Sequence, residues 1–520
     1  HVMTTVDTAV SPAPRAAGAL ASLPRLLRDD PAVVGALGSS SGFVAVGEAA
    51  RGITVAALAQ LSGRRPFVVA CPTGTDASQL YDDLVQYMPP GDVALFPAWE
   101  TLPFERVSPS VETMGRRLEV LWRLRSADRC PAVIVAGVRA LLQFLGPEAH
   151  EVEPVRVTKG AILDPDQLLA HLVHIGYRRE ELVEHRGEVA RRGAIIDVFP
   201  STADSPIRID LWGDEVDRLT EFGVNDQRSS HDLDVVRIFP ARELLPTDVV
   251  RARAATLVGS EPWGRAHWER LSDGALYDGM ESWLPWLVEE PLLLTDVLPS
   301  GSKVTLVEPR RMRDRANDLL AEEADLAKAL SSTWERDPSV DFPHLHASPE
   351  RLLASTGQPW TISSTPETPD SPMVAATGWG PVVGDGEGLA TRLRELLTQQ
   401  YRVVVAADGE GSAQRLASLL LDRGLDFAIG FVDRVVRPED PAVSARAFGP
   451  VAAIATGSSS RAGGFNLNRS RFLSRELRNP RIPTPLATVP TCRPICRVRR
   501  PDSTLRRAGG MGSSRGKALK

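Results

Sequence analysis

Three short runs with no polar residue constrain this chain most: Phe67-Val68-Val69-Ala70, Val93-Ala94-Leu95-Phe96 and Ala132-Val133-Ile134-Val135-Ala136. Amphipathic stretches lie between them, among them Ser78 to Tyr87 and Met114 to Leu124. A strand with one solvated face alternates apolar and polar residues, whereas a run apolar throughout is covered on both faces. Strands of that kind separated by helices predict a parallel sheet with helices on both sides. The expected class is therefore α/β over residues 20–150, after a flexible N-terminus at 1–19.

From residue 151 to 238 the texture changes. RRGAIIDVFP and PIRIDLWGDEVDRLTEF are strands with charged punctuation, as in a small α+β module with one exposed sheet face. Residues 239–347 return to helices and one buried-looking strand, KVTLVEP, which predicts a second part of the first domain. The stretch 348–374 is rich in Pro, Ser and Thr and reads as a linker. A helix-strand-helix pattern over 375–452 predicts a further small α/β domain. Beyond it, 453–520 shows no apolar period, so this basic tail is expected to be disordered. Residues 451–520 hold fifteen Arg and Lys against Glu476 and Asp502, a net of +13 in a chain of net -6, which leaves -19 on the remainder. The tail reads either as a nucleic-acid-binding segment or as an end translated out of frame.

The segment Val44-Ala45-Val46-Gly47-Glu48-Ala49-Ala50-Arg51-Gly52-Ile53-Thr54 approaches the phosphate-binding pattern G-x-x-x-x-G-K-[ST]. Gly47, Gly52 and Thr54 fit it, and Ile53 stands where the lysine should be. Without that lysine nothing neutralises the β- and γ-phosphates. An acidic strand end should hold Mg²⁺ and polarise water; Glu308 ends KVTLV, but Val307 precedes it where the metal-holding Asp would be. Both halves of an ATPase site are thus incomplete, and no catalytic residue, metal ligand or bound cofactor is expected. His171 and His174 are spaced i, i+3 without a third ligand nearby. No run reaches the ~18 apolar residues of a membrane span. Four cysteines are too few for a disulfide scaffold, which predicts a cytoplasmic protein.

GEVARRGAIIDVFP followed by IRIDLWGDEVDRL resembles the strand pair in the second domain of the excision-repair protein UvrB, and GALYDGMESWLP resembles a further UvrB segment. With the nucleotide pattern degenerate and WETLPFE in place, the chain is similar to the N-terminal, UvrB-like region of the bacterial transcription-repair coupling factors (Mfd). That resemblance implies a degenerate RecA/UvrB-like P-loop domain, an inserted α+β module that docks on UvrA, and then a small α/β domain. It implies that the chain stops before the translocase. ATP, Mg²⁺, stalled RNA polymerase and DNA would then belong to missing C-terminal domains, and the function would be recruitment of UvrA. The alternative is a UvrB-like ATPase acting in damage loading. By motif matching, Arg192 falls on an arginine of UvrB, and Arg178 and Arg179 fall near another. These three are the expected UvrA-binding residues; Ala190 stands where UvrB has one more arginine.

Overall fold

The computed structural model describes residues 20–331, 342–374, 376–377, 385–399, 401–407, 410–425, 428–431, 452–456, 471–476 and 486–488. Its first sheet has six strands, all parallel: β1 (Phe43–Ala45), β14 (Trp360–Ser363), β13 (Lys303–Val307), β2 (Phe67–Cys71), β4 (Val133–Gly137) and β3 (Val93–Phe96), in that spatial order. Successive side chains feed opposite faces. Val69, Val133, Val135 and Ile362 pack under α1 (Pro31–Leu37), α2 (Glu48–Ser62) and α3 (Gly74–Tyr87). Val68, Ile134, Val304 and Leu306 meet α4 (Val111–Leu124), α5 (Val138–Leu142), α10 (Pro309–Ser331) and α11 (Pro349–Thr356) on the other. Burial on both faces is why these strands carry no alternation.

The expected linker at 348–374 differs from this structure. It supplies α11 and strand β14, which lies between β1 and β13. Trp360 and Ile362 are buried there, and Trp360 meets Phe67 edge to face at 5.8 Å. A four-residue strand suffices because its interior position pairs it on both sides, so polar neighbours in sequence conceal it.

The chain leaves this domain and returns to it on a two-stranded ribbon, β5 (Val155–Thr158) with β12 (Val235–Ile238). Between them lies a second six-stranded sheet, ordered β11 (Ser229–Leu233), β10 (Glu215–Phe222), β9 (Ile207–Trp212), β8 (Ile195–Val198), β7 (Glu188–Arg192) and β6 (Arg178–Arg179). It is antiparallel except where β6 runs parallel to β7. Helix α6 (Pro165–His174) covers one face over Val189, Ile196, Val198, Ile209 and Leu219. The opposite face carries charge. After the ribbon, α7 (Asp248–Ser260), α8 (Arg265–Ser272) and α9 (Leu284–Leu287) enclose an aromatic cluster in which Trp268, Trp283 and Trp286 are buried, as apolar anchors rather than stacking surfaces.

A third sheet sets β15 (Ala376–Thr377), β20 (Leu486–Thr488), β19 (Arg471–Glu476), β16 (Tyr401–Ala407), β18 (Ala452–Thr456) and β17 (Ala428–Phe431) side by side, with α12 (Gly386–Thr398) and α13 (Glu410–Leu421). Strands β19 and β20, and all but the first residue of β18, fall inside 453–520, where disorder was expected. Main-chain pairing along β16 needs no apolar period, so composition does not register it. The rest of that tail, and the N-terminus 1–19, lie outside the described residues. Among the described residues no helix is long and apolar enough to cross a membrane.

Candidate docking surface

Gly47 is the N-cap of α2, and the helix runs without interruption from Glu48 through Thr54 to Ser62. The residues between the two glycines are therefore helical turns, with no arch to wrap a phosphate. Ile53 and Thr54 are buried in the core beneath the sheet. Gly52 has a packing reason: a Cβ there would stand 2.8 Å from the Cβ of Asp83 on α3. Glu308 is also committed internally. Arg51 Nη2 donates to its Oε1 at 2.9 Å, the Ser364 N–H donates to the same oxygen at 2.8 Å, and Ser363 Oγ donates to Oε2 at 3.0 Å. Burial alone would raise the Glu308 carboxyl, but the bonds from Ser364 and Ser363 and the charge of Arg51 hold it below its ordinary value. Gly52, Ile53 and Thr54 are thus packing residues, Glu308 is half of an ion pair, and Gly47 is the exposed N-cap of α2, where the sequence suggested the remnant of a nucleotide loop.

The outer face of the module's sheet is the richer surface. Cross-strand register puts Arg178 beside Glu188, Ala190 beside Asp197, Asp197 beside Arg208, and Asp210 beside Arg218. The buried Asp197 is the hub. Arg192 Nη2 donates to its Oδ2 at 2.7 Å, while Arg208 donates twice, Nε to Oδ1 at 2.8 Å and Nη2 to Oδ2 at 3.0 Å. Glu188 is a second hub. It accepts the N–H groups of Glu184 and His185 at 2.9 and 2.8 Å, and Arg178 Nη2 at 3.3 Å. Burial pushes the Glu188 carboxyl up, yet those two N–H groups, with His185 and Arg178, hold it below the usual range. Arg218 pairs with Asp232 at 2.7 Å.

Of the three arginines expected to bind a partner, Arg178 and Arg192 share this face, each already paired within the module. Arg192 remains 49% exposed at the end of β7, where Gly193 turns in the left-handed region to start β8. A partner carboxylate could take Arg192 from Asp197 and leave that buried charge with both Arg208 bonds. Arg179 points to the opposite side of β6, is exposed, and makes no ion pair among the described residues. The structure does not bring all three together.

Sequence reasoning missed Arg208, Asp210 and Trp212, which follow one another at alternate positions of β9 on this same face. Trp212 is 81% exposed, at a hairpin whose turn is made by Gly213. The signal was present: in IRIDLW the alternation that buries Ile207, Ile209 and Leu211 directs Arg208, Asp210 and Trp212 outward. A tryptophan on the solvent side of an alternating strand departs from the usual burial of large apolar side chains.

Comparison with known proteins places this surface in context. Residues 155–244 match the UvrB interaction domain, a stretch that overlaps the module expected over 151–238. Transcription-repair-coupling factors are similar over a longer stretch. That of Mycobacterium bovis is 38% identical over 329 residues, covering 58% of this chain and 26% of the relative. That of Bacillus subtilis is 30% identical over 303 residues, 54% of this chain and 25% of the relative. The Escherichia coli factor is 31% identical over 237 residues, 44% and 20%. The chain spans about a quarter of the length of the first of these relatives.

Proposed function

We propose that this chain, a homologue of transcription-repair-coupling factors that carries a UvrB interaction domain, acts in transcription-coupled DNA repair by docking UvrA on the outer face of its second sheet. The observation that carries the reading is the coincidence of that domain match with one face bearing a transferable arginine, Arg192, and an exposed tryptophan, Trp212. Trp212 supplies apolar area at low entropic cost, and the arginines around it supply planar forks for carboxylates. Coupling to stalled RNA polymerase, and ATP-driven movement on DNA, are assigned in this reading to regions of the longer relatives other than this one.

Calorimetric titration of the chain against UvrA tests the reading. Trp212→Ala should weaken binding by about 2 kcal/mol or more, the range of an interface hot spot. Arg192→Ala should cost ~2–5 kcal/mol, at least roughly 30-fold, if its fork engages a desolvated carboxylate. Wild-type affinity in both variants would remove this face from the interface.

A further inference from the structure

The ribbon that joins the module to the first domain carries an arrangement with no internal counterpart. Its register sets Arg156 directly opposite Arg237, on the face away from the buried Val157 and Val236. Both arginines are exposed, and neither makes an ion pair among the described residues. Like charges directly opposite one another destabilise a two-stranded ladder. The neighbouring residues add to the charge. The Arg237 guanidinium lies 5.7 Å from the ring centre of Trp122 on α4, and that of Arg129 lies 3.9 Å from it. Arg123 and Arg125 occupy the end of the same helix, and Arg123 Nε donates to the Arg129 carbonyl at 3.2 Å. The carboxylates nearby are Asp128, next to Arg129 in sequence, Glu153, shared by Arg125 and the Trp122 indole N–H, and Glu119, whose burial raises it above its ordinary range despite Arg123, Arg116 and Arg237.

We propose that this face, centred on the facing Arg156 and Arg237 beside Trp122, is a docking surface for the phosphodiester backbone of duplex DNA. Charge complementarity calls for an anion. Two arginines on facing residues, about 5 Å apart at Cα, suit a polymer that carries a charge every ~1.7 Å along its axis. The Arg237 guanidinium lies over the indole, a contact that orients an exposed arginine at the surface. Trp122 itself is only 7% exposed beneath the arginines and offers no platform for an unpaired base, which favours a duplex over a single strand. The contact is sequence-independent, made to phosphates rather than base edges. It lies apart from the outer face of the second sheet, so it does not rest on the UvrA reading.

The test is fluorescence anisotropy of the full chain with a short labelled duplex across a salt series, comparing wild type with Arg156→Ala/Arg237→Ala. Residues 451–520 are basic and are common to both proteins, so the difference reports the ribbon. The double variant should bind roughly tenfold more weakly near ~0.1 M salt, and its log–log salt slope should fall by about two. Its melting temperature should hold or rise, because a like-charge pair has been relieved, and UvrA binding should persist. Equal affinity and slope in the two proteins would overturn the proposal, as would absence of duplex binding in the wild type. Loss of binding to a polyglutamate peptide with duplex binding intact would overturn it too, and would mark the face as one for an acidic protein.

Discussion

Replacing Glu243 with alanine should break a fully buried ion pair that ties the segment after the ribbon to α4 of the first domain. Glu243 lies just past the ribbon, and its carboxylate receives three bonds: Arg117 Nε at 2.7 Å, Arg117 Nη2 at 3.1 Å and the Trp99 indole N–H at 2.9 Å. Arg117 and Glu243 side chains are both at 0% exposure, so neither can turn to water once its partner is gone. Arg117 would keep only the Pro97 carbonyl at 2.9 Å and its contact with the Phe96 ring, centred 4.4 Å away. Leaving one half of a buried pair uncompensated costs ~3–5 kcal/mol. The orphaned indole N–H adds about 1–3 kcal/mol. The sum is comparable to the whole stability of many domains. Urea denaturation followed by circular dichroism measures it as a lower transition midpoint. The double variant Arg117→Met/Glu243→Leu should recover most of the loss, since it removes both charges and leaves only the Trp99 indole N–H and the Pro97 carbonyl unpaired. A single variant that costs under about 1 kcal/mol, or a double variant no better than the single, would refute the claim that an uncompensated charge is the cause.

Ile53→Lys should lower the melting temperature and create no affinity for a fluorescent ATP analogue, because the new ammonium would enter an apolar core inside a continuous helix. Gly52→Ala should destabilise by about 1–3 kcal/mol through its collision with Asp83, measured by the same denaturation, and a neutral result would show that the two helices part freely. Trp360→Ala should cost ~3–5 kcal/mol if β14 is an interior strand rather than linker, and unchanged stability would return 348–374 to a linker. The Glu308 carboxyl sits below its ordinary value, so its contribution is full above the unfolded value of about 4.3 and is lost as pH falls through the folded one. The stability gap between wild type and Glu308→Gln should therefore close below about pH 4, and a gap that stays constant down to pH 3 would contradict it.

The apolar runs at 67–70, 93–96 and 132–136 determined the parallel sheet by themselves, because double-sided burial tolerates no polar residue. The alternation in IRIDLW likewise fixed which residues of β9 face the core. Motif resemblance placed the module, but it could not say what its arginines were already doing. Arg192 and Asp197 are five residues apart and meet only because the hairpin folds back. Arg117 and Glu243 are brought together across the whole inserted module. The glycine spacing at 47 and 52 was legible and misleading, since two glycines allow an arch without requiring one, and the apolar residues after them made a helix instead. The position of β14 was decided by tertiary structure alone. A short strand acquires its stability from neighbours on both sides, and those neighbours lie about 50 and 300 residues away in the chain.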